Sequence, residues 1–214
     1  MALTDDEVLA DAMADFYADP LGFVMFAFPW DDEEAIQMVE LPEKYRERFP
    51  NCKYGPDEWA CEFLDQLGDE VKKRKFDGRT PVMPIQFATS SGHGIGKTCL
   101  TSWLILWIMS TRPLSKGTVT AGTAEQLKTK TWAELGYWWK MCITSHWFDY
   151  SSGRGAMSLR SKDRPEKWRV DGATCRKEDA QSFAGQHART PHRSTSSMRR
   201  ATTKKRKCGA SGAG

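Results

Sequence analysis

The segment Ser91-Gly92-His93-Gly94-Ile95-Gly96-Lys97-Thr98 constrains this chain more than any other, because of what flanks it. A short β-like run, Val82 to Ala88, precedes it after the Asp77-Gly78 turn signal, and an apolar helix from about Lys97 to Met109 follows, stopped by Pro113. Three glycines remove side chains where backbone N–H groups must close around anionic oxygens. A helix starting at Lys97 turns its N-terminal dipole and first-turn N–H groups toward the same point. Strand, glycine loop, Lys-Thr and helix together predict a P-loop for ATP. Gly92, Gly94 and Gly96 give room; Ser91, His93 and Ile95 complete the loop. Lys97 reaches the β- and γ-phosphates, and the Thr98 hydroxyl meets Mg²⁺. The general pattern wants glycine where Ser91 stands, so the flanking elements carry the assignment. The competing reading is a glycine-rich turn followed by a chance Lys-Thr.

The remaining periodicities predict an α/β fold, an incomplete RecA-like P-loop core with a parallel sheet covered on both faces, behind a helical N-terminal segment. Thr4-Asp5-Asp6-Glu7 is a capping box with Leu3 and Val8 as its staple, opening a helix from about Asp5 to Ala18, before Pro20. The aromatic stretch Phe23, Phe26, Phe28 and Trp30 is packing surface. Trp59, Phe63, Leu64, Leu67 and Val71 recur at helical spacing within 57–75. Gly117 to Ala121 is a second strand. Thr123-Ala124-Glu125-Gln126 caps a helix to about Lys140, with Leu127, Leu135, Trp138 and Cys142 on one face. Lys167 to Val170 and Ala173 to Arg176 are further candidate strands. The resulting division is residues 1–80 helical, 81–188 a partial ATPase core, and 189–214 a basic tail expected to be disordered.

Composition excludes some classes. Residues 1–10 have no basic and apolar leader pattern, and the apolar run 100–109 is far below the ~20 residues a membrane span requires. A cytoplasmic, soluble chain is the expectation. The six cysteines form no CxxC pair and no zinc spacing, so they are expected as reduced thiols. The net charge of +3 conceals an asymmetry: residues 189–214 hold eight basic and no acidic residues, leaving 23 basic against 28 acidic ahead of them.

Residues 88–98, Ala-Thr-Ser-Ser-Gly-His-Gly-Ile-Gly-Lys-Thr, resemble the Walker A segment of the large terminase subunit of tailed bacteriophages. Phe28-Pro29-Trp30, Gly55-Pro56-Asp57-Glu58-Trp59, the stretch from Gly117 to Trp132, and Ser182-Phe183-Ala184-Gly185-Gln186-His187-Ala188 are similar to other parts of that family's ATPase. The likeness covers about Asp19 to Ala188. It implies ATP and Mg²⁺ as cofactors, DNA as the translocated partner, and the portal and small terminase subunit as protein partners. It also implies an ATPase followed by a nuclease, in a bacterial host carrying a prophage copy. By the same likeness Trp59 lies near the adenine, although Ala60 stands where the family tends to have Gln, and Trp59 also reads as a core residue of its helix. Gln126 reads either as a nucleotide sensor or as the third residue of its cap. Trp132, Trp138, Trp139 and Trp147 read as core in preference to a DNA-stacking surface.

ATP turnover requires carboxylates for the metal and the attacking water, and the family carries them on an apolar strand after the segment ending at Ala188. This sequence has no acid after Asp179. With serine read as TCN, threonine as ACN, methionine as ATG and arginine as AGR, reading residues 194–199 one nucleotide out of frame permits Phe-Tyr-Ile-Phe-Asp-Glu, an apolar strand ending in the missing pair. The expectation is an ATPase fragment whose frame changes after about Ala188. The alternative is a nucleic-acid-binding protein acting through a genuine basic tail.

Overall fold

The computed structural model describes residues 4–37, 39–75, 81–90, 94–153 and 156–174. Its first element, α1 (Asp5–Asp15), begins with the reciprocal cap that the sequence predicts. Thr4 Oγ1 accepts from Glu7 N–H at 3.3 Å, while Thr4 N–H donates to the Glu7 carboxylate at 2.8 Å. The staple partner Leu3 lies outside the described residues, and Val8 is exposed. The aromatic stretch forms α2 (Pro20–Ala27), with proline at its first position and Asp19 accepting from Gly22 N–H at 2.8 Å. Phe26 alone among its residues stays outside the core, so no polar face announces the helix. After a single turn, α3 (Glu43–Arg46), comes the amphipathic α4 (Glu58–Arg74), which buries Ala60, Cys61, Leu64 and Gly68. Lys72, Lys73 and Arg74 place positive charge at its C-terminus, where the helix dipole favours it.

The central element is α5 (Lys97–Thr111). It is packed by α1, α2 and the helix that follows β1, and it lies against the sheet. Trp107 donates through its indole to Phe16 O at 2.8 Å, and the buried hydroxyls of Ser110 and Thr144 share a 2.7 Å hydrogen bond. A parallel-sheet strand, β1 (Lys116–Ala121), leads to α6 (Ala124–Gln126), where Thr123 Oγ1 accepts from Gln126 N–H at 3.1 Å. The helix widens to π geometry over Leu127–Trp132 and continues as α7 (Ala133–Met141). The expected buried face is present, with Leu127, Leu135, Trp138 and Cys142 all inside.

A hairpin of β2 (Phe148–Gly153) and β3 (Ala156–Ser161) precedes β4 (Arg169–Thr174). The sheet order is β1-β4-β3-β2. Only the β1–β4 ladder is parallel; β4–β3 and β3–β2 are antiparallel, so the expected parallel sheet is a mixed one. The two candidate strands around residues 167–176 are the single strand β4. Leu159 and Val170 sit on the face turned to the helices, where Gly172 lies against Leu127 and Trp132. On the opposite face Asp149, Arg160, Arg169 and Lys116 form one row across the four strands.

The expected strand Val82 to Ala88 is not formed. Residues 81–90 are irregular and join no ladder of the sheet, and Val82, Met83 and Phe87 are exposed. A strand completes its backbone hydrogen bonds only with a neighbour, and no described strand lies beside this run. Among the described residues no helix is long and apolar enough to cross a membrane. The tail 189–214, the segment 182–188, Cys175 and Cys208 lie outside the described residues.

Candidate phosphate-binding site

Ser91, Gly92 and His93 lie outside the described residues; Gly94 to Thr98 are within them. Gly94 and Gly96 adopt left-handed φ values of 83° and 80°. A Cβ at Gly94 would meet nothing within 4 Å, so glycine is required there by the backbone conformation rather than by crowding. Gly96 is the N-cap of α5, and no side chain caps the helix. The first-turn N–H groups of any α-helix lack intrahelical acceptors, so a fifteen-residue helix that starts this way presents donors and a partial positive charge at its mouth. Lys97 and Thr98 occupy the first two helical positions, as the loop reading expects, and both are half-buried. Their carbonyls accept from Thr101 and Ser102 hydroxyls at 2.9 and 3.1 Å.

The helix mouth opens onto a cleft of about 440 Å³ whose walls come from three directions: Trp59 on α4, Trp103 on α5, and Glu134, Tyr137 and Trp138 on α7. Trp59 is in reach of the loop itself, since a Cβ on Gly96 would stand 3.9 Å from its Cζ2. The same indole packs on the hydrophobic core, as the core reading of Trp59 expects. Trp30, Trp103 and Trp138 pack on one another with centroids 5.1 to 6.0 Å apart, and Trp138 is held by donating to Glu134 Oε1 at 2.9 Å. Cys99 also faces the cleft, but burial raises its thiol pKa, which leaves it protonated and a poor nucleophile.

Seven of the nine tryptophans donate their indole N–H at 2.8 to 3.2 Å. The two whose buried Nε1 has no partner are Trp59 and Trp103, and both line this cleft. A buried donor left unmatched costs about 1–3 kcal/mol, and Trp103 is only 5% exposed. Trp132 and Trp138 are core residues, with Trp139 and Trp147 packed partly buried against them, as expected. Gln126 uses its backbone N–H in the Thr123 cap.

Sequence reasoning missed Trp103 and Glu134 as cleft residues. Trp103 lies seven positions after Gly96, two turns along the helix, which brings it back under the loop. Among the described residues no group of three or more His, Cys, Asp or Glu is placed to hold a metal ion. Asp171 is bound to Arg169, accepting from its Nε at 2.6 Å. No protein-family model, curated protein or solved structure matches the chain.

Proposed function

We propose that this chain is the nucleotide-binding part of a P-loop ATPase of the large-terminase type, binding ATP with Mg²⁺ at the start of α5. The observation that carries the reading is the uncapped start of α5 at a left-handed Gly96, with Lys97 and Thr98 as its first residues and a cleft at its mouth. Phosphate oxygens take the helix N-terminus and the loop amides, Lys97 balances their charge, and Thr98 Oγ1 is the protein's contribution to the metal shell. The described residues fit the phosphate half of such a site. They supply no carboxylate cluster for the metal, and the sequence offers no acid after Asp179. Binding is the activity we assign to the described residues, with DNA translocation belonging to an intact RecA-like core in the bacterial cytoplasm.

The purified chain with ATP and Mg²⁺ is expected to show no hydrolysis that depends on Lys97. Turnover at ordinary enzyme rates, lost in Lys97→Ala, refutes the assignment and calls for another acid. The apparent change of frame after Ala188 is tested by reading the coding DNA from Gln181 onward. An open shifted frame encoding an apolar strand and Asp-Glu supports the terminase reading. A shifted frame that closes at once favours the second reading, in which the eight basic residues after Ala188 bind nucleic acid. Deleting 189–214 then abolishes DNA binding.

A further inference from the structure

We infer that the basic segment 189–207 folds back onto α1 of its own chain and lays its arginine and lysine side chains over the tryptophan-walled groove beside that helix. The contact is independent of what the start of α5 binds. Its origin is a charge imbalance in α1, which holds five acids and no basic residue. Glu7, Asp11 and Asp15 follow one another at four-residue spacing and so share a face, where like charges oppose the helix. Among the described residues no acid of α1 meets a lysine or arginine; Asp6 is held by His146 and Trp147, and the Asp11 and Asp15 side chains have no partner. In α4, all five acids are matched: Glu58, Glu62, Asp65, Asp69 and Glu70 each lie 2.5 to 3.9 Å from a lysine or arginine nitrogen.

Beside the acidic helix lies a groove of about 410 Å³, walled by Trp147, Trp168 and Pro113. Both indoles are half-buried and spend their N–H groups within the fold, on Asp6 Oδ1 at 3.2 Å and Met109 O at 3.0 Å. What they offer an occupant is ring surface, which suits a planar guanidinium. Asp6, Glu7 and Asp163 also line the groove against the single lysine Lys162, so its edge is acidic. Residues 189–207 hold eight arginines and lysines and no acid, whereas residues 1–188 hold 23 basic against 28 acidic residues. The chain can also reach. Trp168 directly precedes β4, so the last described residue, Thr174, stands one strand length, about 20 Å, from the groove. Residues 175–188 can cover up to about 50 Å when extended, enough to turn back.

Carbodiimide coupling of the full chain tests the contact, because this reagent joins a lysine to a carboxylate with no spacer. Joined peptides are identified by mass spectrometry in the single-chain product, with the Lys44–Glu62 pair, 2.5 Å apart, as reference. At low salt Lys204, Lys205 and Lys207 are expected on Glu7, Asp11 and Asp15 at least about fivefold more often than on the exposed acids 31–34, with a similar fall in about 1 M NaCl, where the screening length is ~3 Å. Asp11→Asn combined with Asp15→Asn is expected to lower the remaining join to Glu7 at least about threefold by weakening the attraction. The reference pair forming without any tail join, or tail joins spread evenly over the acids, or joins indifferent to salt, would overturn the contact. Joins found only in a two-chain product place the segment on a second copy and overturn the fold-back.

Discussion

The ten residues 81–90 and the helix α5 lie on either side of the glycine loop, and they meet opposite fates. α5 buries nine of its fifteen residues, whereas in 81–90 only Ile85 is even half-buried. Both stretches carry large apolar side chains. The difference lies in how each kind of backbone satisfies its own hydrogen bonds. A helix closes them internally and needs only a surface to pack against, which α1, α2, α7 and the sheet provide. A strand depends on a neighbour, and none of the described strands adjoins this run, so Val82, Met83 and Phe87 remain at the surface.

The comparison breaks first at α5. Leu106 is fully buried, and Leu106→Ala is expected to cost ~2–5 kcal/mol in chemical denaturation through lost transfer energy and the cavity left behind. A loss below about 1 kcal/mol would show that α5 does not organise the core as described. The next effect belongs to the contact between α7 and the hairpin, where a Cβ on Gly136 would fall 2.7 Å from the Tyr150 ring and hydroxyl. Gly136→Ala should destabilise by ~1–3 kcal/mol by overpacking, since Tyr150 is also tied to Trp132 O at 2.6 Å. Met83 lies on the open side of the comparison at 75% exposure. Met83→Ser is expected to change stability by less than ~0.5 kcal/mol while lowering aggregation measured by light scattering, because an exposed, unpaired apolar run is a template for association. A large loss of stability there would mean that the run is paired in solution.

The smallest effect lies where α1 meets the turn before β2. Hydrogen bonds from His146, at 2.7 Å, and then from Trp147, at 3.2 Å, hold the exposed Asp6 carboxylate below its ordinary pKa of 3.8. A carboxylate with a lowered folded pKa stabilises the fold above its unfolded value, and that contribution disappears as pH falls through the folded value. Asp6→Asn should be slightly less stable than wild type near neutrality, with the gap closing once the pH drops below 3.8. A gap that persists unchanged at lower pH would assign the effect to packing.

Legibility in the sequence followed the same division between local and non-local bonding. The cap at Thr4, the helices α4 and α5, the strand β1 and the cap at Thr123 were readable because each depends on residues within a few positions. α2 was passed over because it is apolar on nearly every side, although Asp19 and Pro20 mark its start. The β2–β3 hairpin was also missed. Its alternation of Phe148 and Tyr150, then Met157 and Leu159, was present in the sequence but diluted by serines and glycines. Val82 to Ala88 erred in the other direction, since a β-like pattern does not say whether a partner strand exists. The glycine segment ahead of α5 stood out through its spacing, whereas the cleft did not: Trp59, Trp103 and Glu134 converge from three helices far apart in the chain.

Whether the start of α5 binds nucleotide phosphates is decided by titrating ATP and Mg²⁺ into wild type and Lys97→Ala by calorimetry. Saturable binding to wild type is expected and none detectable to the variant, with both chains giving the same circular dichroism. Equal affinity of the two folded chains would contradict it.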